Sequence, residues 1–254
     1  MIKGICRICG KEKPLSFEHI PPRAAFNNRP VVTIPLEQII ALGPDVKPKG
    51  PIKQKGMGDY VLCEECNNNS GSWYASRFVD WCYRGMEILK LSNGNPTLIY
   101  TYKIYPLSII KQIVVMLLAV NNPGFVQANN ELATFVMNKE FNLLPSQYRI
   151  YTYYNIIGMH RNVGLSGKIS IPTGKMSLMS EVSFPPFGYL LTINSDKPDE
   201  RLVEISGFAN YRYDDLAEIQ VRLAVLPTHL LYPGDYRSIE EIYKTREDNE
   251  SKGV

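Results

Sequence analysis

A chain of 254 residues with 44% hydrophobic and 21% charged side chains can bury a sizeable core without disulfides. Disorder, collagen and coiled coil are excluded as descriptions of the whole. The net charge of +3 does not by itself announce a nucleic-acid binder, but the charge is unevenly placed. Residues 1–60 hold ten Lys and Arg against five Asp and Glu, residues 61–234 hold fourteen of each, and residues 235–254 hold four against six.

Taken in chain order, the first sixty residues are rich in Pro, Gly and Lys and short on periodic apolar pattern, which predicts a small loop-rich module. Val46–Lys55 (VKPKGPIKQK) carries four lysines, two prolines and no acid, and reads as an exposed loop. From Ser72 onward Tyr74, Phe78, Trp81 and Gly85 recur at helical spacing, with Ile88 and Leu89 on the same face, until Asn93-Gly94-Asn95-Pro96 stops the pattern. Cys82 on this stretch reads as a small buried residue. Pro106–Asn121 predicts a second, largely buried helix, suited to a core or an interface, and Asn130–Asn142 a third. Beyond Tyr148 the texture is β: Arg149–Ile157, Gly167–Ile171, Tyr189–Ile193, Leu202–Phe208 and Ile219–Val225 are short runs rich in β-branched and aromatic residues. Residues 236–254 predict a short helix and a frayed charged tail.

The expected architecture is α+β. A zinc-stapled module over residues 1–92 precedes a mixed, strand-rich domain over 97–235. The N-terminal MIKGICRICGKEK lacks the apolar stretch of a signal peptide, and Ile109–Val120, interrupted by Lys111 and Gln112, is too short to cross a bilayer. With few cysteines for its size, the chain is expected in a reducing cytoplasm, away from membranes.

Four of the five cysteines stand as Cys6-x-x-Cys9 and Cys63-x-x-Cys66. A C-x-x-C turn places two thiolates on one side of a tight knuckle, and two knuckles complete a tetrahedral Cys₄ zinc site. The fifty-three residues between Cys9 and Cys63 have little apolar pattern of their own, so the zinc closes a long loop that could not otherwise fold. Free thiols or a redox pair are the other reading. A four-thiolate site has no open position, so any chemistry belongs beside the zinc. Phe17-Glu18-His19-Ile20-Pro21-Pro22 stands between the knuckles. On an extended segment Glu18 and His19 point to opposite faces and flank one site only if a metal ion lies at the strand edge.

The order Cys-x-x-Cys, Glu-His-Ile-x-Pro, Cys-x-x-Cys-Asn resembles the zinc-containing HNH (ββα-metal) endonucleases over about residues 5–85, a third of the chain. The resemblance implies a treble-clef-like ββα module in which His19 is the general base, and Glu18 and Asn67 hold a catalytic Mg²⁺ or similar divalent ion distinct from the zinc. Asn67, Asn68 and Asn69 are consecutive, and Asn67 is placed first for its register with Cys66. The family's central Asn has no evident counterpart, since Gly58-Asp59-Tyr60 occupies that stretch, and forty-three residues separate His19 from Cys63. A neutral imidazole can take a proton from water near pH 7.

The expected activity is metal-dependent hydrolysis of nucleic-acid phosphodiesters, DNA in preference to RNA. A catalytically inert zinc-dependent nucleic-acid-binding or protein-interaction module is the alternative. Arg23, Arg29, Lys47, Lys49, Lys53 and Lys55 are candidate phosphate contacts, or else a solvated face. Tyr100, Tyr102, Tyr105, Tyr148, Tyr151, Tyr153 and Tyr154 read as core and cross-strand packing before base stacking. By analogy with modular HNH enzymes, the second domain is expected to serve recognition, sensing or docking, with a homodimer or larger assembly through it.

Overall fold

A computed structural model of the chain describes residues 2–35, 38, 49–156, 159–169, 174 and 176–251. The fold is mixed α+β, with 31% helix and 32% strand. Near the N-terminus β1 (Lys3–Ile5), β2 (Glu12–His19) and β5 (Gly58–Cys63) form an antiparallel sheet in the order β1-β2-β5. The short strands β3 (Val31–Val32) and β4 (Ile52–Lys53) pair separately. This segment holds more strand than its composition predicts, because its ladders are short and half-exposed and give no apolar alternation.

Helix α1 (Glu64–Ser70) starts on the residue after Cys63, with Glu64 and Glu65 in its first turn, where carboxylates suit the positive end of the helix dipole. It passes through a π-helical turn, Gly71–Ala75, into α2 (Ser76–Lys90). The helix therefore begins eight residues before the predicted Ser72, inside the second knuckle. Strand β6 (Thr97–Ile104) pairs antiparallel with β12 (Ala217–Ala224). Between β6 and the next strands lie α3 (Pro106–Val120), α4 (Pro123–Ala128) and α5 (Asn130–Met137). Pro106 opens α3, and the helix is buried from Pro106 to Ala119, so it is core. Asn122 caps α4 by accepting from the Phe125 N–H at 2.9 Å.

Five antiparallel strands make the largest sheet, in the order β11 (Val203–Glu204), β7 (Tyr148–Tyr154), β10 (Phe187–Ile193), β9 (Met176–Phe184) and β8 (Arg161–Ile169). Two sequence readings are corrected here. Leu202–Phe208 is only a two-residue strand followed by a 3₁₀ turn at Ser206–Asn210, and the helix expected over Asn130–Asn142 ends at Met137. The predicted strand ends at Ile157, Ser170 and Ile171 lie outside the described residues.

The apolar core does not divide near residue 92. One cluster runs from Cys6, Ile8 and Leu62 through Tyr74, Phe78 and Trp81 to Phe187, Tyr189 and Leu223. Trp81 stacks on Phe187, with centroids 4.6 Å apart and planes 13° apart, and donates its indole N–H to the Tyr189 hydroxyl at 2.9 Å. A Cβ on Gly85 would fall 2.3 Å from the Phe187 ring, so only glycine lets α2 approach β10 this closely. Residue 236 is not yet tail. Tyr236 is buried and donates its hydroxyl to Glu181, which also accepts from Arg161 and Tyr153. Arg161 then donates to the carbonyls of Leu230, Tyr232 and Asp235, fastening the C-terminal segment to the sheet. Helix α6 (Ile239–Ser251) follows. Among the described residues no helix is long and apolar enough to cross a membrane.

Candidate functional site

The two knuckles meet as the spacing demands. The sulfurs of Cys6, Cys9, Cys63 and Cys66 all lie within 4.8 Å of one another, the only group of three or more His, Cys, Asp or Glu side chains among the described residues placed to hold a metal ion. Zinc at about 2.3 Å from each sulfur sets tetrahedral edges of about 3.8 Å. The Cys9–Cys63 separation is 3.9 Å, so the donor set fits zinc in number, softness and spacing. Gly10, at φ +68°, turns the first knuckle, and its N–H donates to the Cys6 carbonyl at 3.0 Å. The backbone N–H of Cys63 donates to the Cys6 sulfur at 3.3 Å. Hydrogen bonding from Cys66 and from neighbouring N–H groups lowers the Cys6 thiol to about 4, while donating to Cys6 raises Cys66. Cys6 alone is thereby drawn toward the thiolate, the form that binds metal, while burial pushes the Cys9 thiol up.

Strand β2 carries Glu18 and His19 away from this centre. Glu18 pairs in register with Asp59 and His19 with Gly58 on β5. A Cβ at position 58 would lie 2.2 Å from the Glu18 carbonyl and 2.8 Å from the Phe17 ring, so Gly58 is what allows the strands to close here. The His19 ring packs edge-on against Phe17, with centroids 4.9 Å apart. Its Nε2 lies 3.1 Å from the Lys55 carbonyl. A carbonyl only accepts, so Nε2 carries the proton and Nδ1 keeps its lone pair. Burial lowers the His19 pKa below its ordinary 6.5, and the charges of Arg23 and Lys55 push the same way, against the Lys55 carbonyl. The ring is therefore neutral at pH 7.

Glu18 is 7% exposed, and among the described residues nothing donates to it. Burial alone raises its carboxyl to about 8. Of the three consecutive asparagines, Asn67 is the one turned to β2. Its amide donates to the Ser16 hydroxyl at 3.0 Å and to the Phe17 carbonyl at 3.2 Å, while Asn68 and Asn69 are exposed. Both amide hydrogens are thereby committed, and Oδ1, the atom a hard cation would use, has no partner among the described residues. Helix α1 thus links Cys66 of the four-sulfur cluster directly to the residue preceding Glu18.

The candidate phosphate contacts separate. Arg23 and Lys55 are exposed and close enough to His19 to influence it. Lys53 donates to the Gly58 carbonyl at 2.8 Å and so has a structural duty. Arg29 and Lys49 are exposed, and Lys47 lies outside the described residues.

Asn27 is a residue that the sequence reading missed. It is 1% exposed and spans the loop after His19. Its amide donates to the carbonyls of Pro21 and Met57 at 2.7 Å each, and its Oδ1 accepts from the Met57 N–H at 2.7 Å. Gly56 at φ +89° makes room, since a Cβ there would sit 2.5 Å from Asn27. Asn27 therefore fixes the 55–57 turn whose carbonyl orients His19. An asparagine in a loop carries no periodic signal, which is why only tertiary geometry reveals it.

No protein-family model, curated protein or solved structure matches the chain.

Proposed function

We propose that the chain is a zinc-stabilised phosphodiesterase of the HNH (ββα-metal) type, acting on nucleic acid, DNA in preference to RNA. The observation that carries this reading is the His19 imidazole, neutral, with Nδ1 unpartnered among the described residues and Nε2 held by the Lys55 carbonyl beside two cationic side chains. That is the state required of a general base. The zinc of Cys6, Cys9, Cys63 and Cys66 is structural in this reading, a staple that sets α1 against β2.

His19 Nδ1 takes a proton from water as the water oxygen attacks phosphorus, and the Lys55 carbonyl stabilises the imidazolium that forms. Arg23 and Lys55 draw the phosphate toward that water. Glu18 and Asn67, through its Oδ1, are the residues that would hold a hard divalent ion. Such an ion, when bound, stabilises charge on the phosphate and the leaving oxygen. Its positive charge would hold Glu18 ionised against the burial that otherwise keeps it protonated.

The test is cleavage of plasmid and of single-stranded DNA and RNA by purified chain with Mg²⁺ or Mn²⁺, beside His19→Ala. Cleavage lost in His19→Ala is the expected result. Equal cleavage by both proteins, or none by the native chain on any substrate, overturns hydrolysis. Salt-dependent binding without cleavage would then identify an inert binder.

A further inference from the structure

The loop that follows His19 ends in a conformation that its sequence does not favour. Phe26 has φ +67°, in the left-handed region where a bulky side chain is an outlier and where glycine or asparagine would be cheaper. Asn27 pins the loop at Pro21 and at Met57, and the Ala25 N–H closes a turn on the Pro22 carbonyl at 2.8 Å, so Phe26 is held in this state from both sides. Strain of this kind persists only where the surroundings impose it, and it concentrates at functional sites.

The constrained backbone delivers the Phe26 ring to Tyr83 of α2, with centroids 4.8 Å apart and planes tilted by 41°. Phe26 is half-buried against the core, and Tyr83 is 49% exposed. No hydrogen bond holds the Tyr83 hydroxyl among the described residues, so packing on Phe26 is what positions this ring. Exposed Arg23 lies within the same pinned loop, while exposed Arg84 lines a separate cavity with Arg77, Asp80 and Lys103. Arg23 also acts electrostatically on His19, which places the loop's phosphate-seeking charge next to the proposed base. A half-exposed aromatic face backed by a second ring, with a cation in the same loop, fits the π-face of a nucleobase whose phosphate is drawn to Arg23. In a duplex that face is already covered by neighbouring bases, so such a surface selects unpaired nucleotides.

We propose that Tyr83, backed by Phe26, is a stacking platform for an unpaired base next to the scissile phosphate. Resting on the phosphodiesterase reading above, this makes the substrate single-stranded or locally unpaired nucleic acid.

The test uses the full chain with its zinc, in a His19→Ala background that does not cleave. The probe is a single-stranded oligonucleotide containing 2-aminopurine, compared with its fully paired duplex. Binding should quench the probe. Tyr83→Ala should weaken single-strand binding about tenfold and abolish the quenching, while Tyr83→Phe keeps both. Duplex binding, carried by phosphate contacts, should change by less than about twofold. Because Tyr83 is half-exposed, Tyr83→Ala should melt with the parent protein. Unchanged affinity and quenching in Tyr83→Ala, tighter binding of duplex than of single strand, or no binding of either, each overturns the platform. Quenching by a chain that never cleaves with Mg²⁺ or Mn²⁺ keeps the platform and overturns hydrolysis. Single-strand cleavage that is the same in native chain and Tyr83→Ala does the reverse.

Discussion

The N-terminal sheet and the α3–five-strand region solve the same problem by different physics. Helix α3 alone buries fourteen consecutive residues, Pro106 to Ala119, against strands that are themselves buried. The strands of the β1-β2-β5 sheet bury few side chains, Glu18, Val61, Leu62 and Cys63 among them, and they carry Lys3 and Glu12 outward. The hydrophobic effect suffices for the first. The second brings together four sulfurs that could hold a metal ion, and such an ion would supply what the core there does not. The lesson is that the rigid part and the chemically equipped part of this chain are different parts, and they should fail under different insults.

Removing the metal should open the widest gap between them. Cys63→Ser should reduce bound zinc from about one ion per chain to none, because structural zinc is worth on the order of 10 kcal/mol to such a site. Hydrogen exchange should then become fast in β1, β2 and β5 and stay slow in β7, β9 and β10. Slow exchange throughout, with no zinc bound, would mean that burial holds both regions.

Next in size, His19→Ala should lower cleavage about 10²- to 10⁴-fold with little change in thermal stability. The mirror-image change lies in the sheet. Glu181→Ala strands the buried Arg161, leaves the Tyr236 hydroxyl without its acceptor and Tyr153 with Ser183 alone, and should cost about 3–5 kcal/mol in urea unfolding. A small cost there would show the network to be incidental.

Glu18 offers a sharper contrast, since it sets function against stability within one residue. Its carboxyl is raised to about 8 by burial, so the folded chain without a divalent ion prefers the protonated form. The associated stability is complete at pH below about 4.5 and is lost progressively as pH rises through 8. Glu18→Gln removes the cost of ionisation and should stabilise the metal-free chain by about 1–3 kcal/mol near pH 8, while abolishing the proposed Mg²⁺-dependent cleavage. Melting that is unchanged or lower across pH 5 to about 8 would remove the buried-carboxyl account.

The smallest expected effect is in the pH profile. His19 has its pKa lowered by burial and then by Arg23 and Lys55, so the acid limb of cleavage should lie below pH 6.5. Arg23→Gln should move that limb upward, toward the ordinary histidine value. A limb that stays put would separate Arg23 from the base.

Legibility follows the same divide. That four cysteines gather where they could hold a metal ion was legible from spacing alone, because coordination geometry is local to each knuckle. Helix α3 could be read from Pro106 at its start and the Asn121-Asn122 pair at its end. Strand β9 was missed, since Ser177, Ser180, Glu181 and Ser183 break its apolar run. Several of those polar groups are buried because Arg161, Tyr153, Asn121 and Asn155 come from elsewhere to meet them. Asn27 and the left-handed Phe26 were invisible for a related reason: their roles exist only once residues 55–57 and Tyr83 have arrived. The Glu-His pair was visible as a motif, but its tautomer depends on a carbonyl thirty-six residues away.

The stacking of Trp81 on Phe187 also bears on how the chain is made. During vectorial synthesis both knuckles are complete once Cys66 has emerged, so zinc can bind early. The apolar face of α2 cannot be covered then, because the hydroxyl that receives the Trp81 N–H lies 108 residues downstream. For that interval Tyr74, Phe78 and Trp81 stand uncovered beside an already chelated loop, and the nascent module depends on a sheet not yet translated.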